Sequence, residues 1–184
     1  MKKLIPIFFL LQSCMPYHPA SFDEHLKRPA TLFYDTHHVT IGAQDIGFAP
    51  SKKDIEEQID LFCEIVGCDI SVLEGLIVIF TPDSINHPQF KNKFVEGAQS
   101  GAFAFVVYRG PLSDWKRVLR HEMGHFWLQL EVGDGDEFHR TPGFWENLDF
   151  GRKRYDFAPG AFPSLDNQGI NNLPQMQPPL PGPF

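Results

Sequence analysis

Long apolar runs are missing from this chain. The stretch near its start, Leu4 to Leu11, is interrupted by Pro6 and is too short to span a bilayer as a permanent helix. Positive charge is in deficit as well: 16 Lys and Arg stand against 23 Asp and Glu, a formal net charge of −7, so nucleic acid is an unfavourable partner. Cysteine is rare, with three residues, which excludes a framework of many disulfides. No internal repeat is present, and solenoid and propeller architectures fall away with it. What remains is 184 residues with 42% hydrophobic and 14% aromatic content, enough for one domain with a real core and too short for two comfortable ones.

Within the run Ser113 to Leu130 stands His121-Glu122-Met123-Gly124-His125, the pattern HExxH. On a 3.6-residue period the two histidines lie one turn apart, so both imidazoles can reach one Zn²⁺, with Glu122 beside them as general base for a water that the metal activates. Gly110-Pro111 breaks the chain before this run. Ser113 is placed to cap the helix, and Asp114 puts a carboxylate in its first turn. Winding the segment at about 100° per residue gathers Trp115, Leu119, Met123, Phe126, Trp127 and Leu130 into one arc of about 120°, the core face. His121 and His125 fall outside that arc, about 40° apart, with Glu122 between them and the core face. Two solvated histidines on an acidic helix are the plain alternative, and Glu122 in register favours the metal.

The rest of the chain reads as a small domain around that helix. His38 to Ala43 alternates and is rich in β-branched residues, a strand pattern. Ser51 with Asp54 makes a capping-box-like start, Ile55, Ile59, Phe62 and Val66 recur at helical spacing, and Gly67 stands where a left-handed C-terminal residue belongs. That is an amphipathic helix packed on a sheet. Leu76 to Phe80 is a continuous apolar run, consistent with a central strand covered on both faces, and Gly101 to Tyr108 is a third strand directly before the HExxH helix. Residues 14–29 read as a polar, proline-containing linker and 30–162 as the catalytic domain. Residues 163–184, rich in Pro, Asn and Gln, read as a disordered or extended tail.

Residues 1–13 have the layout of an export signal: Lys2-Lys3, the apolar Leu4 to Leu11, then Leu11-Gln12-Ser13-Cys14. The pattern resembles a bacterial lipoprotein signal, which implies cleavage before Cys14 and diacylglycerol on its thiol. Gln12 is an uncommon residue at its position, and an ordinary cleaved signal, giving a secreted protein, is the alternative. The resemblance implies a lipid-anchored location in the bacterial cell envelope. Met15 at the second mature position is not a retention aspartate, which implies the outer membrane. Loss of the two signal lysines takes the charge from 16 − 23 = −7 to 14 − 23 = −9. With Cys14 assigned to lipid, Cys63 and Cys68 remain, an even number suited to a disulfide in an oxidising compartment if Gly67 turns the chain enough. A small buried apolar Cys63 is the alternative.

The order strand, helix, strand, strand, HExxH helix resembles the zincin metallopeptidases over roughly Val39 to Leu130. It implies an α+β fold in which a small mixed sheet carries a backing helix and an active-site helix. By that analogy the strand Gly101 to Tyr108 borders the cleft and pairs with extended substrate. A catalytic zinc keeps three protein ligands and one open position, so a third ligand is needed after His125. The metzincin extension would require Gly at 128 and His at 131, where this chain has Leu128 and Glu131. A gluzincin arrangement would use Glu146. His139 is favoured, because it is the only histidine after the motif and follows the turn-forming Gly133-Asp134-Gly135-Asp136. The carboxylates Glu131, Asp134, Asp136 and Glu137 complete the field, and their spacing does not match a calcium-binding EF-hand. One of them can instead orient a ligating histidine.

Tyr155, Arg140 and Tyr108 are the candidate donors to a developing oxyanion. Met176, in the proline-rich tail, is weak support for a metzincin Met-turn. The expected protein is a monomeric zinc metallopeptidase that hydrolyses peptide bonds in protein or peptide substrates. Two alternatives are a non-catalytic envelope lipoprotein that uses the same fold to bind a partner, and a zinc hydrolase of a cell-wall amide bond.

Overall fold

The computed structural model describes residues 19–87, 92–136, 139–141 and 143–152. The signal and Cys14, Glu137, Tyr155, Met176 and the tail from 163 lie outside them. In chain order the elements are α1 (Phe22–Lys27), β1 (Leu32–Thr36), β2 (Val39–Ala43), α2 (Lys52–Val66), β3 (Ile77–Thr81), β4 (Ile85–Asn86), β5 (Phe94–Val95), β6 (Gly97–Ser100), β7 (Phe103–Val107), α3 (Trp115–Val132) and α4 (Phe144–Phe150). This is an α+β arrangement built on one mixed sheet.

Five strands form that sheet in the order β1-β2-β3-β7-β6, with β2, β3 and β7 parallel and both outer strands antiparallel to their neighbours. A parallel pair needs a crossover, and α2 supplies the one between β2 and β3. Side chains alternate between the faces. Ile79, Phe105 and Val107 point to one, where they pack with Ile85 and with Phe22, Val95 and Ala98. On the other, Phe80 meets Trp115 of α3 edge to face at 5.9 Å. Burial on both faces is why the Leu76 to Phe80 run is continuous rather than alternating.

The strand before the HExxH helix is not the sheet edge. β7 pairs with β3 on one side and β6 on the other, while Gly101 and Ala102 form the turn between β6 and β7. The sheet edge expected at Gly101 to Tyr108 is instead β6, four residues with little apolar pattern to mark them as a strand. Within the 14–29 linker assignment, the stretch from Ala20 to Arg28 is ordered structure instead. Ser21 and Glu24 form a capping box for α1, Ala20 bridges to Ile85, and His25 is fully buried against Phe105. A six-residue helix is too short to show periodicity.

α3 starts one residue later than its sequence cap suggested. Asp114 takes the N-cap position without a side-chain bond. The Ser113 hydroxyl instead accepts from Arg109 N–H at 3.2 Å and donates to the Gly110 carbonyl at 2.7 Å, tying the preceding turn. Trp115, Leu119, Met123, Phe126 and Trp127 are buried as the helical wheel predicts, but Leu130 is 57% exposed because the helix outruns the sheet there. α4 lies against α3 where Gly124 has no side chain: a Cβ at that position would come within 2.6 Å of Leu148 Cδ1. The buried Arg120 fastens α4 from below. Its Nε donates to Leu148 O at 2.8 Å, one terminal nitrogen to Asp149 O at 3.2 Å, and the other to the Gln58 amide oxygen on α2.

Candidate metal centre

Three histidines converge at the exposed side of α3. His121 Nε2 lies 3.1 Å from His139 Nε2, and His139 Nε2 lies 3.3 Å from His125 Nε2. Two nitrogens bound to one tetrahedral zinc at about 2.0–2.1 Å stand about 3.3 Å apart, so the spacing fits shared ligation. Tautomers make the case stronger. His125 Nδ1 sits 2.6 Å from the Gly135 carbonyl oxygen and must donate to it, and His121 Nδ1 sits 3.2 Å from an Asp149 carboxylate oxygen and donates likewise. Each then turns an Nε2 lone pair toward His139 Nε2. Among the described residues these histidines are the one group placed to hold a metal ion.

His139 reaches this position by an unusual backbone path. Asp136 and His139 both adopt left-handed φ, +52° and +50°, and His139 N–H donates to the Asp136 carbonyl at 2.8 Å, closing a tight turn. The Asp136 carboxylate, 5% exposed, holds the return. It accepts from Arg140 N–H at 2.8 Å, Thr141 N–H at 2.9 Å and Trp145 Nε1–H at 2.9 Å. Burial pushes this carboxyl up, but the hydrogen bonds from Trp145 and the two backbone amides outweigh it and hold it well below the ordinary carboxylate range. Trp145 in turn floors the site, its ring 4.7, 4.5 and 4.5 Å from the rings of His121, His125 and His139.

The electrostatics suit a ligand set. Burial, then the neighbouring His125, pulls His121 down to about 4 against the opposing pull of Asp149, so its ring is neutral at neutral pH and its lone pair is available. Glu122 is 5% exposed, and burial pushes its carboxyl up to about 8. What covers it is the backbone of β6: a Cβ on Gly97 would overlap the Glu122 carboxylate and stand 2.5 Å from Val118 Cγ1.

His121, His125 and His139 come together as the sequence suggested. Glu146 does not join them; it is exposed on α4 beside Trp145, the residue that faces the histidines. Asp134 pairs with Arg140 at 2.8 Å and accepts from Asp136 N–H, so the acidic turn is an internally bonded loop rather than a cation cage. Arg140 pairs with Asp134 and Asp136, and Tyr108 packs between Phe80 and Trp115. Sequence reasoning missed Asp149, Trp145 and Gly97. Only Asp149 had a signal, as the acid three residues after Glu146.

Compared with protein-family models, curated proteins and solved structures, the chain has no significant match.

Proposed function

We propose that this chain is a zinc-dependent peptide-bond hydrolase with a zincin-like catalytic fold, and that a bacterial lipoprotein signal anchors it in the cell envelope through lipid on Cys14. The observation that carries the enzymatic reading is the convergence of three imidazole Nε2 atoms, two with tautomers fixed by Asp149 and Gly135, beside a desolvated Glu122. Three imidazoles with an open fourth position suit zinc.

When bound, zinc supplies a Lewis acid that polarises a carbonyl and makes water nucleophilic at neutral pH. Glu122 accepts the proton that the attacking water gives up and delivers it to the leaving nitrogen. Glu122, pushed up by burial, would be drawn back toward the carboxylate form that this role needs by a dication held at the histidines. Asp149 and the Gly135 carbonyl keep the two helical imidazoles in register, and Trp145 closes the floor. β6 ends the sheet on the side of Glu122, and a sheet edge is where an extended peptide adds most readily, which supports a protein or peptide substrate.

The test is metal analysis of the purified protein together with cleavage of a peptide library. Native protein is expected to carry zinc and cut peptides, while Glu122→Gln retains zinc and loses hydrolysis by several orders of magnitude. Near-native turnover by Glu122→Gln would remove the proposed role of that residue.

A further inference from the structure

We propose that Cys63 and Cys68 form a reversible dithiol–disulfide pair that staples the C-terminal end of α2, closed by exchange with an external disulfide. The inference stands apart from the metal centre and rests on the geometry of a helix cap. α2 ends at Gly67, whose φ of +74° and ψ of 34° are left-handed. Gly67 N–H and Cys68 N–H both donate to the Cys63 carbonyl, at 2.8 and 3.1 Å. The second of these is the six-to-one bond of a Schellman motif, in which the side chains at the two bonded positions characteristically touch, usually as a hydrophobic contact. Here both positions are cysteine. The cap that terminates the helix therefore brings two thiols together, with sulfurs 2.7 Å apart and both unoxidised.

Their surroundings differ in a way that sets an order of reaction. Cys63 is buried on the core face of α2, whereas Cys68 is partly exposed. An external disulfide therefore meets Cys68 first. The Cys68 sulfur attacks one sulfur of the reagent, giving a mixed disulfide and releasing one thiol. Cys63, toward which the Cys68 S–H already points, then attacks the Cys68 sulfur and releases the second thiol. Two cysteine thiols lose two electrons and two protons, and one reagent disulfide becomes two thiols.

The probe is glutathione disulfide added to the full-length protein, followed by alkylation of free thiols and digestion with a glutamate-specific protease. Cleavage after Glu64 separates the two cysteines, so their peptides stay joined only through a disulfide. The expected result is a joined species two hydrogens lighter than the separate thiol peptides together, which dithiothreitol splits. In Cys63→Ser the reaction should stop at a glutathione adduct on Cys68, because the resolving thiol is gone. Thermal unfolding of the closed form should occur at a higher temperature than that of the open form. Separately alkylated cysteines, or a stable glutathione adduct on the native pair, would overturn the proposal. So would a Cys63→Ser variant whose Cys68 takes up no glutathione, or a closed form no more stable than the open one.

Discussion

Asp136 was read from the sequence as one acid in a turn, yet the structure makes it the post to which the third histidine is tied. Replacing it with alanine removes the acceptor for three close hydrogen bonds, from Arg140 N–H, Thr141 N–H and Trp145 Nε1–H. Trp145 is 5% exposed, so its indole N–H has no route to water once the carboxylate is gone. A stranded buried donor costs about 1–3 kcal/mol, and hydrogen bonds to a charged group contribute about 1.5–3 kcal/mol each, without simple additivity. Counting the Trp145 and Thr141 donors as stranded and letting the Arg140 amide find solvent gives a loss of about 4 kcal/mol. Urea unfolding of metal-free protein measures it. The same change frees the left-handed backbone at His139, so zinc affinity should fall about 10–100-fold in a chelator competition titration, as for other losses behind a ligand. Asp136→Asn keeps one acceptor oxygen and should fall between native and alanine. A loss under about 1 kcal/mol with unchanged zinc affinity would refute the clamp and the energies assigned to it.

Three further outcomes follow from close contacts and burial. Gly97→Ala forces a methyl group against Glu122 and Val118; zinc content should hold while hydrolysis falls about 100-fold, and undiminished turnover would show that β6 does not set the base. Gly124→Ala gains about 1 kcal/mol of helix propensity but drives Cβ to 2.6 Å from Leu148 Cδ1, an overpacking of about 1–3 kcal/mol. The net effect should be a lower thermal midpoint, and a rise would mean that α4 is not seated as described. Burial of His25 lowers its affinity for protons below the ordinary 6.5, so the unfolded chain takes up a proton that the folded one resists. Stability is therefore full above pH 6.5 and declines as pH falls below it, a slope that His25→Gln should reduce when unfolding is followed from pH 6.5 down to about 5.

The parts of this protein legible in its sequence are those governed by short-range periodicity. The α2 cap at Ser51, its stop at Gly67, the buried stripe of α3 and the apolar β3 all follow from spacings within one element. The metal centre was legible on two grounds: His121 and His125 share one helix turn, and His139 is the only histidine after them, although it arrives through two left-handed residues that no spacing rule announces. What was hidden depends on contacts between elements. β6 became the edge because β7 found partners on both sides, and Gly97 matters only because Glu122 lies beneath it. Asp149 meets His121 where Arg120, itself held by the Gln58 amide oxygen, donates to the Leu148 and Asp149 carbonyls of α4. Leu130 fell on the apolar arc yet is exposed, since an arc records direction and not where the neighbouring sheet stops.

Equilibrium zinc binding to the native protein, His139→Ala and Glu146→Ala tests the central claim most directly. With His121, His125 and His139 as the ligands, native protein and Glu146→Ala should bind one zinc with nearly equal affinity. His139→Ala, left with two ligands, should bind more weakly by more than the roughly 10–100-fold that loss of an outer partner costs. Zinc retained at native affinity by His139→Ala and lost from Glu146→Ala would contradict the three-histidine centre and place the third ligand on α4.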